Sequence, residues 1–448
     1  MTEPGWVHHA IWWQVYPLGF SGAYPAGSAP DVGAGNEGAG DEEPGLLRIV
    51  PWLDHAIELG CSGIALGPIF ASETHGYDTV DHRRIDPRLG TDDDFDRLVG
   101  AAHARGLRVQ LDGVFNHVGR RHPIAEAALA GGPASDAGRL LRSVGDGDNR
   151  RFVPFEGHDI LLTLDHDHSA VAELVVDVMR HWLDRGADAW RLDAAYAVPP
   201  RFWAAVLPQV RRTHPDVWFE AEVLHGDYAA FVDASTADTV TQYELWKAIW
   251  SSINDRNMHE LAWALTRHNA MLDTFVPATF IGNHDVTRIA TRITDARHRD
   301  HAVVLLAVLG GTPTVYAGDE YGFTGLKEDR EGGDDAIRPE FPASPDLLDA
   351  GDERMYRLHQ CLIGFRRRHP WLHRARTEPV TLANDHVTLA IVPPANTDGH
   401  RLEVTINLGE QAIGLDTSTL IEADDHTRGG DGFVAAHGWA ICEVRSDA

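Results

Sequence analysis

The amino-acid sequence predicts an α/β protein: a (β/α)8 TIM barrel with a short excursion domain after strand 3 and a C-terminal antiparallel β domain. Apolar runs of strand length alternate with helical segments along most of the 448 residues, as a parallel barrel requires. Three of these runs end in Asp193, Glu222 and Asp285. The intervals of 29 and 63 residues between them are close to one and two barrel units of about 31 residues. After Thr377 the pattern changes to short alternating runs, which are typical of a small all-β domain.

The predicted elements divide the chain into three domains. We assign 1–117 and 160–376 to the barrel, 118–159 to the excursion domain and 377–448 to the C-terminal domain. The predicted barrel strands are 11–20, 63–70, 107–112, 187–193, 217–222, 239–243, 275–282 and 313–317. The predicted helices are 46–59, 91–105, 169–184, 200–212, 259–269, 299–309 and 352–368. Thr91 and Ser169 are the expected N-caps of the second and third of these helices.

Composition and charge exclude several classes of function. The net charge is −28 and the only lysines are Lys247 and Lys327, so the chain offers no basic patch for nucleic acid or an anionic membrane. No run reaches the roughly 18 apolar residues of a membrane helix, and the N-terminus lacks a signal-peptide pattern. Cys61, Cys361 and Cys442 are too few for a disulfide framework. These features predict a cytoplasmic protein.

Four apolar runs end in acidic residues: Asp112, Asp193, Glu222 and Asp285. In a barrel, the C-terminal ends of the strands form the rim where enzymes carry out their chemistry. Arg191 and Asp193 point to the same face of their strand, because side chains alternate with period 2. A guanidinium in that position favours the ionised form of Asp193, whereas the apolar run before Glu222 predicts a raised pKa for Glu222.

Taken alone, these residues also allow structural roles. An isolated pair of Arg191 and Asp193 is also typical of a buried structural ion pair. Glu220 faces the same side of its strand as Glu222, and we interpret Glu220 as a deeper or capping carboxylate.

Six sequence blocks, in order and in register, decide between these interpretations. The blocks DGVFNH, WRLDAAY, FEAEVLHGD and FIGNHD resemble the four signature regions of the α-amylase family of glycoside hydrolases. The block HGYDTVDH at 75–82 is similar to the family's segment after strand 2, and GDEYG at 318–322 is similar to its segment after strand 8. The resemblance extends from about residue 11 to the last helix, and a β domain like that of the family follows.

The resemblance implies a role for each matching residue. Asp193 matches the catalytic nucleophile, Glu222 the general acid/base and Asp285 the carboxylate that stabilises the transition state. Asp112 matches a structural aspartate. The resemblance also implies the substrate-binding residues. Arg191 orients the nucleophile, His117 and His284 hydrogen-bond the sugar, and Tyr77 is the aromatic platform under it. Asp78 binds the terminal sugar, with Arg338 as its candidate partner.

The same resemblance raises the question of a bound calcium ion. Asn116 matches one calcium ligand of the family, but Thr163 and Ala197 stand where two further ligands are usual. A faint second calcium pattern, at Asp31, Asn36 and Asp41, has the wrong spacing for a dense oxygen cage. We therefore expect no metal and no other cofactor; Asn116 would be a ligand only if calcium were present.

These inferences predict an enzyme that hydrolyses α-glucosidic bonds in short soluble α-glucans or α-glucosides through a covalent glucosyl-aspartate. Asp78 favours short substrates, and so does the absence of a lysine from the segment 194–196 after the nucleophile. An oligosaccharide is the expected partner. A transglycosylase, a glucoside isomerase or a phosphorylase would use the same site, and an inactive carbohydrate-binding scaffold is a more remote alternative. Linkage, exo or endo action and oligomeric state stay open.

Overall fold

A closed eight-stranded parallel barrel forms the centre of the protein, as predicted. The computed structural model describes residues 3–23, 45–330, 332–348, 353–395, 397–415, 419–428 and 432–444. The barrel strands are β1 Trp12–Val15, β2 Gly63–Leu66, β3 Arg108–Gly113, β4 Ala189–Leu192, β5 Trp218–Ala221, β6 Thr239–Val240, β7 Ala278–Phe280 and β8 Thr312–Tyr316. They are hydrogen-bonded in the order β6-β5-β4-β3-β2-β1-β8-β7, and a parallel bridge between Thr241 and Ala278 closes the ring.

Six of the eight barrel strands are shorter than the apolar runs that predict them; β3 and β8 have the predicted length and are shifted by one residue. The first predicted strand, 11–20, ends at Val15, because Pro17 begins a short helix, Pro17–Phe20. Proline lacks an N–H for the strand ladder but suits the first turn of a helix. In the second run, 63–70, the residues after Leu66 lead into the loop at the C-terminal rim, which is where the site lies.

Helices pack around the barrel between the strands. The principal ones are Leu53–Leu59, Asp92–Ala104, Ser169–Asp184, Pro200–Arg211, Tyr228–Ser235, Tyr243–Asp255, Met258–Met271, Arg299–Val308 and Glu353–Arg368. Thr91 caps the second of them in a reciprocal capping box with Asp94, as predicted. The prediction that Ser169 is an N-cap is wrong: His168 has the extended backbone, and its ring nitrogen accepts the N–H of Ala170.

The N-terminal end of the barrel is filled with apolar side chains. Trp12 and Trp218 stack there with ring centroids 5.9 Å apart, next to Ala65 and Ala189. Gly63 leaves the room for this pair, since a Cβ at Gly63 would lie 2.4 Å from the Trp12 ring. Tight packing at this end leaves the opposite, C-terminal end of the barrel for polar residues.

Two smaller domains accompany the barrel. The excursion after β3 contains a helix, Pro123–Gly131, and a three-stranded antiparallel sheet of His117–Gly119, Pro154–Phe155 and His158–Thr163. The C-terminal domain holds a five-stranded antiparallel sheet in the order β9-β10-β11-β13-β12, where β9 is Arg376–Leu382, β10 His386–Val392, β11 Leu402–Asn407, β12 Thr419–Ala423 and β13 Trp439–Glu443. Among the described residues, no helix is both long and apolar enough to cross a membrane.

Candidate active site

One buried guanidinium organises the acidic residues at the C-terminal mouth of the barrel. Nη1 of Arg191 lies 2.7 Å from each carboxylate oxygen of Asp112 and 3.3 Å from Oδ1 of Asp193. Its Nη2 lies 2.8 Å from Oε1 of Glu222 and 3.9 Å from Oδ2 of Asp285. Strands β3, β4 and β5 are consecutive in the barrel, so the acids that end them meet around Arg191. The four acids predicted from the sequence are therefore brought together at one point.

The backbone after β4 fixes the relative positions of Asp193 and Glu222. Ala194 has a left-handed backbone, with φ of 46°, and its N–H donates to Oε2 of Glu222 at 2.8 Å. The N–H of Tyr196 donates to the backbone carbonyl of Glu222 at 3.0 Å. A non-glycine residue held in this conformation indicates a constrained turn. The turn ties the loop after β4 to the end of β5, and so holds the two carboxyl groups close to each other.

The pKa of Asp193 differs from the value expected for a carboxyl group beside an arginine. Burial raises the pKa of Asp193 well above its ordinary range, the charge of Glu222 raises it further, and Arg191 offsets only part of the rise. Arg191 therefore does not by itself hold the pKa of Asp193 low, which differs from the expectation that the guanidinium keeps this carboxylate ionised. The physical reason is that one guanidinium is shared among several acids and is closer to Asp112 and Glu222 than to Asp193.

The pKa of Asp285 is shifted in the opposite direction to that of Asp193. Burial by itself would raise its pKa, but His284, Arg338 and Arg191 hold the pKa well below its ordinary range. Oδ2 of Asp285 lies 2.9 Å from Nε2 of His284, and Oδ1 lies 2.9 Å from Nη2 of Arg338. Asp285 is thus an ionised carboxylate, and 27% of its side chain is exposed to the mouth of the barrel.

Three nearly parallel aromatic rings lie beside the carboxylates. The His284 ring has its centroid 5.9 Å from that of Tyr16 and 5.7 Å from that of Tyr77. The Tyr77 hydroxyl contacts Nε2 of His284 and donates to Oδ2 of Asp112 at 3.1 Å. Gln14 fixes the other side of the His284 ring, 3.2 Å from Nδ1. Tyr77 and His284 are therefore rigidly placed beside the carboxylates.

Both ring nitrogens of His117 are occupied by the protein. Nε2 donates to the backbone carbonyl of Tyr77 at 2.9 Å, which leaves Nδ1 to accept from the Asn116 amide at 3.1 Å. Burial lowers the pKa of His117 to about 4, so the ring is neutral at pH 7. The ring also stacks on Phe155 of the excursion domain, at 4.6 Å. His117 thus supports the loop that carries Tyr77.

The expected partnership of Asp78 and Arg338 does not form. Arg338 pairs instead with Asp285 and, at 2.9 Å, with Asp334 four residues before it, and it lies over the Tyr16 ring. Asp78 is buried and accepts the Thr74 hydroxyl at 2.7 Å, while its Oδ1 has no hydrogen-bond partner. The two residues come from different loops, whose packing the sequence does not specify.

Glu220 lies deeper in the barrel than Glu222. It is paired in register with Arg191 of β4, and its Oε2 accepts the Gln110 amide at 3.1 Å. Burial raises the pKa of Glu220 to about 6. These contacts match the interpretation of Glu220 as a deeper carboxylate.

Several residues of the site were not identified from the sequence: Gln14, Tyr16, Tyr243, Asn283 and Asp334. The Tyr243 hydroxyl lies 3.3 Å from Oε1 of Glu222 and accepts the Asn283 amide at 3.0 Å. A signal existed for Gln14, which is a polar residue within an apolar strand, and for Asn283, which lies inside the block FIGNHD. Tyr16, Tyr243 and Asp334 offer no such signal, because their roles depend on loop packing.

The surroundings of Asn116 do not fit a calcium site. Calcium takes six to eight oxygen ligands. Oδ1 of Asn116 is buried without a hydrogen-bond partner, but its amide nitrogen faces a ring nitrogen of His117. Among the described residues, the groups of three side chains that could hold a metal ion are Glu3, His8 and His373, and Asp295, His298 and His437, and neither group includes Asn116 or a residue next to it in the chain. Asp31, Asn36 and Asp41 lie outside the described residues. The absence of a calcium requirement stays a prediction.

Comparison with known proteins identifies similar sequences in one family of enzymes. A family model described as the alpha amylase catalytic domain matches residues 14–137 and 146–378. A cyclomaltodextrinase from a Bacillus species is 31% identical over 354 residues, which are 72% of this chain and 61% of that enzyme. A second cyclomaltodextrinase, from Geobacillus thermopakistaniensis, is 29% identical over 91% of this chain and 70% of its own length.

A solved structure extends the similarity to nearly the whole chain. The cyclic α-maltosyl-(1→6)-maltose hydrolase from Arthrobacter globiformis has 26% sequence identity and a TM-score of 0.79, over 99% of this chain and 100% of that one. The same hydrolase has also been solved in complex with cyclic α-maltosyl-(1→6)-maltose and with maltose. Together with the match to the family model, the carboxylates around Arg191 and the closed barrel, these findings establish that the chain belongs to the alpha-amylase family of glycoside hydrolases.

Proposed function

We propose that this protein hydrolyses α-glucosidic bonds in short soluble α-glucans with retention of configuration, through a glucosyl ester on Asp193. The observation that carries the proposal is the contact of both Asp193 and Glu222 with the single guanidinium of Arg191. Retaining glycosidases need two carboxyl groups about 5–5.5 Å apart, one ionised and one protonated. Asp193 and Glu222 are both buried and contact the two terminal nitrogens of the same guanidinium, which places the two carboxyl groups next to each other.

The chemistry proceeds in two balanced steps. Glu222 donates its proton to the leaving glycosidic oxygen while Asp193 attacks the anomeric carbon, so that the old C–O bond breaks and an ester forms. Glu222, now ionised, then takes a proton from water, and the resulting hydroxide displaces Asp193. The proposed reaction therefore assigns the proton to Glu222 and the nucleophilic carboxylate to Asp193. Asp285 is held ionised and supports the positive charge that develops on the sugar ring.

Small substrates agree with both the relatives and the site. The similar enzymes are named for cyclomaltodextrins and for a cyclic maltosyl-maltose. Arg338 contacts both Asp285 and Asp334, and buried Asp78 has one carboxylate oxygen without a hydrogen-bond partner. These polar groups can hydrogen-bond the hydroxyls of a terminal sugar. They support a substrate-binding role for Asp78 and for Arg338, although the two side chains do not pair with each other.

The test compares the native enzyme with Asp193→Asn and Glu222→Gln. Both variants should fold normally and lose most turnover on maltotriose, and NMR of the native reaction should show the α-anomer as the first product. Asp159→Asn, which alters a carboxylate on the excursion hairpin, is the matched control. Substantial turnover by both active-site variants, or a β-anomer as first product, would refute the proposal. Maltose, isomaltose, sucrose, trehalose and cyclodextrin as further substrates define the linkage.

We also propose a cytoplasmic location. A relative with 28% identity over 72% of this chain is named as an intracellular maltogenic amylase from Bacillus subtilis. Fractionation of the source cells tests this location: recovery of the activity in the medium or the cell envelope would contradict it.

A further inference from the structure

Three potential metal ligands, Glu3, His8 and His373, meet at the N-terminal end of the barrel. Oε1 of Glu3 lies 3.5 Å from Nε2 of His8 and 3.0 Å from Nε2 of His373. The two imidazole rings are neighbours, with centroids 5.3 Å apart. The candidate active site lies at the opposite end of the barrel and uses none of these side chains. The cluster therefore needs an explanation of its own.

The backbone on both sides of this cluster is fixed by its own packing. Two of the ligands belong to the segment of the 3₁₀ helix Gly5–His9, whose Trp6 packs edge-on against Trp12 with centroids 6.0 Å apart. The third ligand lies in the 3₁₀ helix Pro370–Arg374, and its backbone carbonyl accepts the N–H of Gly311 just before β8. The three side chains are thus brought together from distant parts of the chain and are held in place without an ion.

The distances between the donor atoms fit a tetrahedral divalent ion. Zinc bonds of about 2.0–2.2 Å to nitrogen and oxygen place neighbouring donors about 3.3 Å apart. The separations of 3.0 and 3.5 Å around Oε1 of Glu3 lie on either side of this value. Two imidazoles and one carboxylate are a donor set that proteins use for zinc, and they leave a fourth position for water.

Two of the donors have the protonation state that a metal ion needs. Burial by itself would raise the pKa of Glu3, but hydrogen bonds and charges of His373 and Arg374 bring it below its ordinary value, so the carboxylate is ionised at pH 7. Burial lowers the pKa of His373, so its ring is neutral. Metal ligands must be deprotonated carboxylates or neutral imidazoles. His373 can therefore bind an ion through Nε2 once its single ring proton has moved to Nδ1, without releasing a proton.

Arg374 competes with an ion for Glu3. Its Nη2 contacts the same Oε1 of Glu3, but 44% of the Arg374 side chain is exposed, so it can turn towards solvent when an ion binds. Without an ion, His373 and Arg374 compensate the charge of Glu3. The folded state therefore does not depend on the ion, which is taken up when it is supplied.

We propose that Glu3, His8 and His373 form a binding site for a divalent transition-metal ion, Zn²⁺ in the first place, which links the helix Gly5–His9 to the helix Pro370–Arg374. Imidazole is a preferred ligand of zinc. Calcium fits poorly, because it prefers a larger set of oxygen ligands. A bound ion stabilises the folded state, because only the folded chain holds the three donors together. The site is independent of the proposed hydrolase function.

The experiment adds Zn²⁺ to the whole chain after dialysis against EDTA. Isothermal titration calorimetry should detect Zn²⁺ binding, and the urea midpoint of unfolding should rise with the Zn²⁺ concentration. His8→Ala removes a half-exposed ligand and should weaken binding by at least about 10–100-fold, the loss caused by removing even an outer partner of a metal ligand. Co²⁺ in place of Zn²⁺ should give the visible absorption of a four-coordinate ion, and His8→Ala should abolish it.

The control variants decide where the ion binds. His9→Ala removes the exposed neighbouring histidine and should bind Zn²⁺ with native affinity. His437→Ala alters the second group of potential metal ligands and should also bind as native. Loss of binding in either control would overturn the proposed site. It would also be overturned if the native protein bound no Zn²⁺, or if His8→Ala and Glu3→Gln both kept native affinity.

Discussion

Replacing Arg191 gives the most direct test of how the site is held together. The side chain is 9% exposed, and its two terminal nitrogens contact Asp112, Asp193 and Glu222 within 3.3 Å. Within the described part of the chain, Arg191 is the only positively charged side chain in contact with Asp112, and Arg191→Met removes it. Removing one partner of a buried ion pair costs about 3–5 kcal/mol, because the remaining charges stay buried and uncompensated.

Arg191→Lys separates the effect of charge from that of geometry. A lysine ammonium is a single point of charge, so it can stay with Asp112 but cannot also span the distance to Glu222. We expect it to lose the hydrogen bonds to the other acids, at a cost in stability of about 1.5–3 kcal/mol. Turnover should fall by about 10²–10³-fold, the effect of losing one preorganised charge donor in an active site.

Urea unfolding followed by tryptophan fluorescence, together with kcat on maltotriose at pH 7, measures both effects. The control is Arg297→Met, which removes a surface arginine paired with Asp295 and should leave the midpoint of urea unfolding almost unchanged, because exposed ion pairs contribute little to stability. The reasoning is refuted if Arg191→Met has the same urea midpoint of unfolding as the native protein, or if Arg191→Lys has the same turnover as the native protein.

Three further predictions concern charge and metal. The pKa of Glu220 is raised to about 6 from an ordinary 4.5, so the folded state loses stability as the pH rises from 4.5 to 6. Above pH 6, Glu220→Gln should therefore have a free energy of unfolding about 2 kcal/mol higher than that of the native protein. Below pH 4.5 the two should be equal, and urea unfolding measures both. Arg338→Met removes one of the charges that hold down the pKa of Asp285, so the acid limb of its kcat/KM profile should move to higher pH; an unchanged profile would contradict this. Dialysis against EDTA should leave both the melting temperature and turnover unchanged, and recovery of lost activity by added calcium would show that a metal is needed.

The sequence by itself determined the barrel and the convergence of the four acids. Strand-length apolar runs ending in Asp112, Asp193, Glu222 and Asp285 are local patterns, and parallel strands in a closed barrel bring their C-terminal ends to one rim. Period 2 along β4 puts Arg191 among these acids. Capping of the helix Asp92–Ala104 by Thr91 was equally local.

Tertiary structure alone decided the partners of each charged side chain. Arg338 pairs with Asp285, 53 residues away, rather than with Asp78, and Glu156 reaches Tyr196 across 40 residues. The pKa of Asp193 depends on how close the Arg191 guanidinium lies to Asp193 compared with Asp112 and Glu222. These distances differ by only tenths of an ångström. Such partners come from loops that are distant in the chain, so local patterns hold no information about them; only the packing of the complete fold fixes which charges meet and how deeply they are buried.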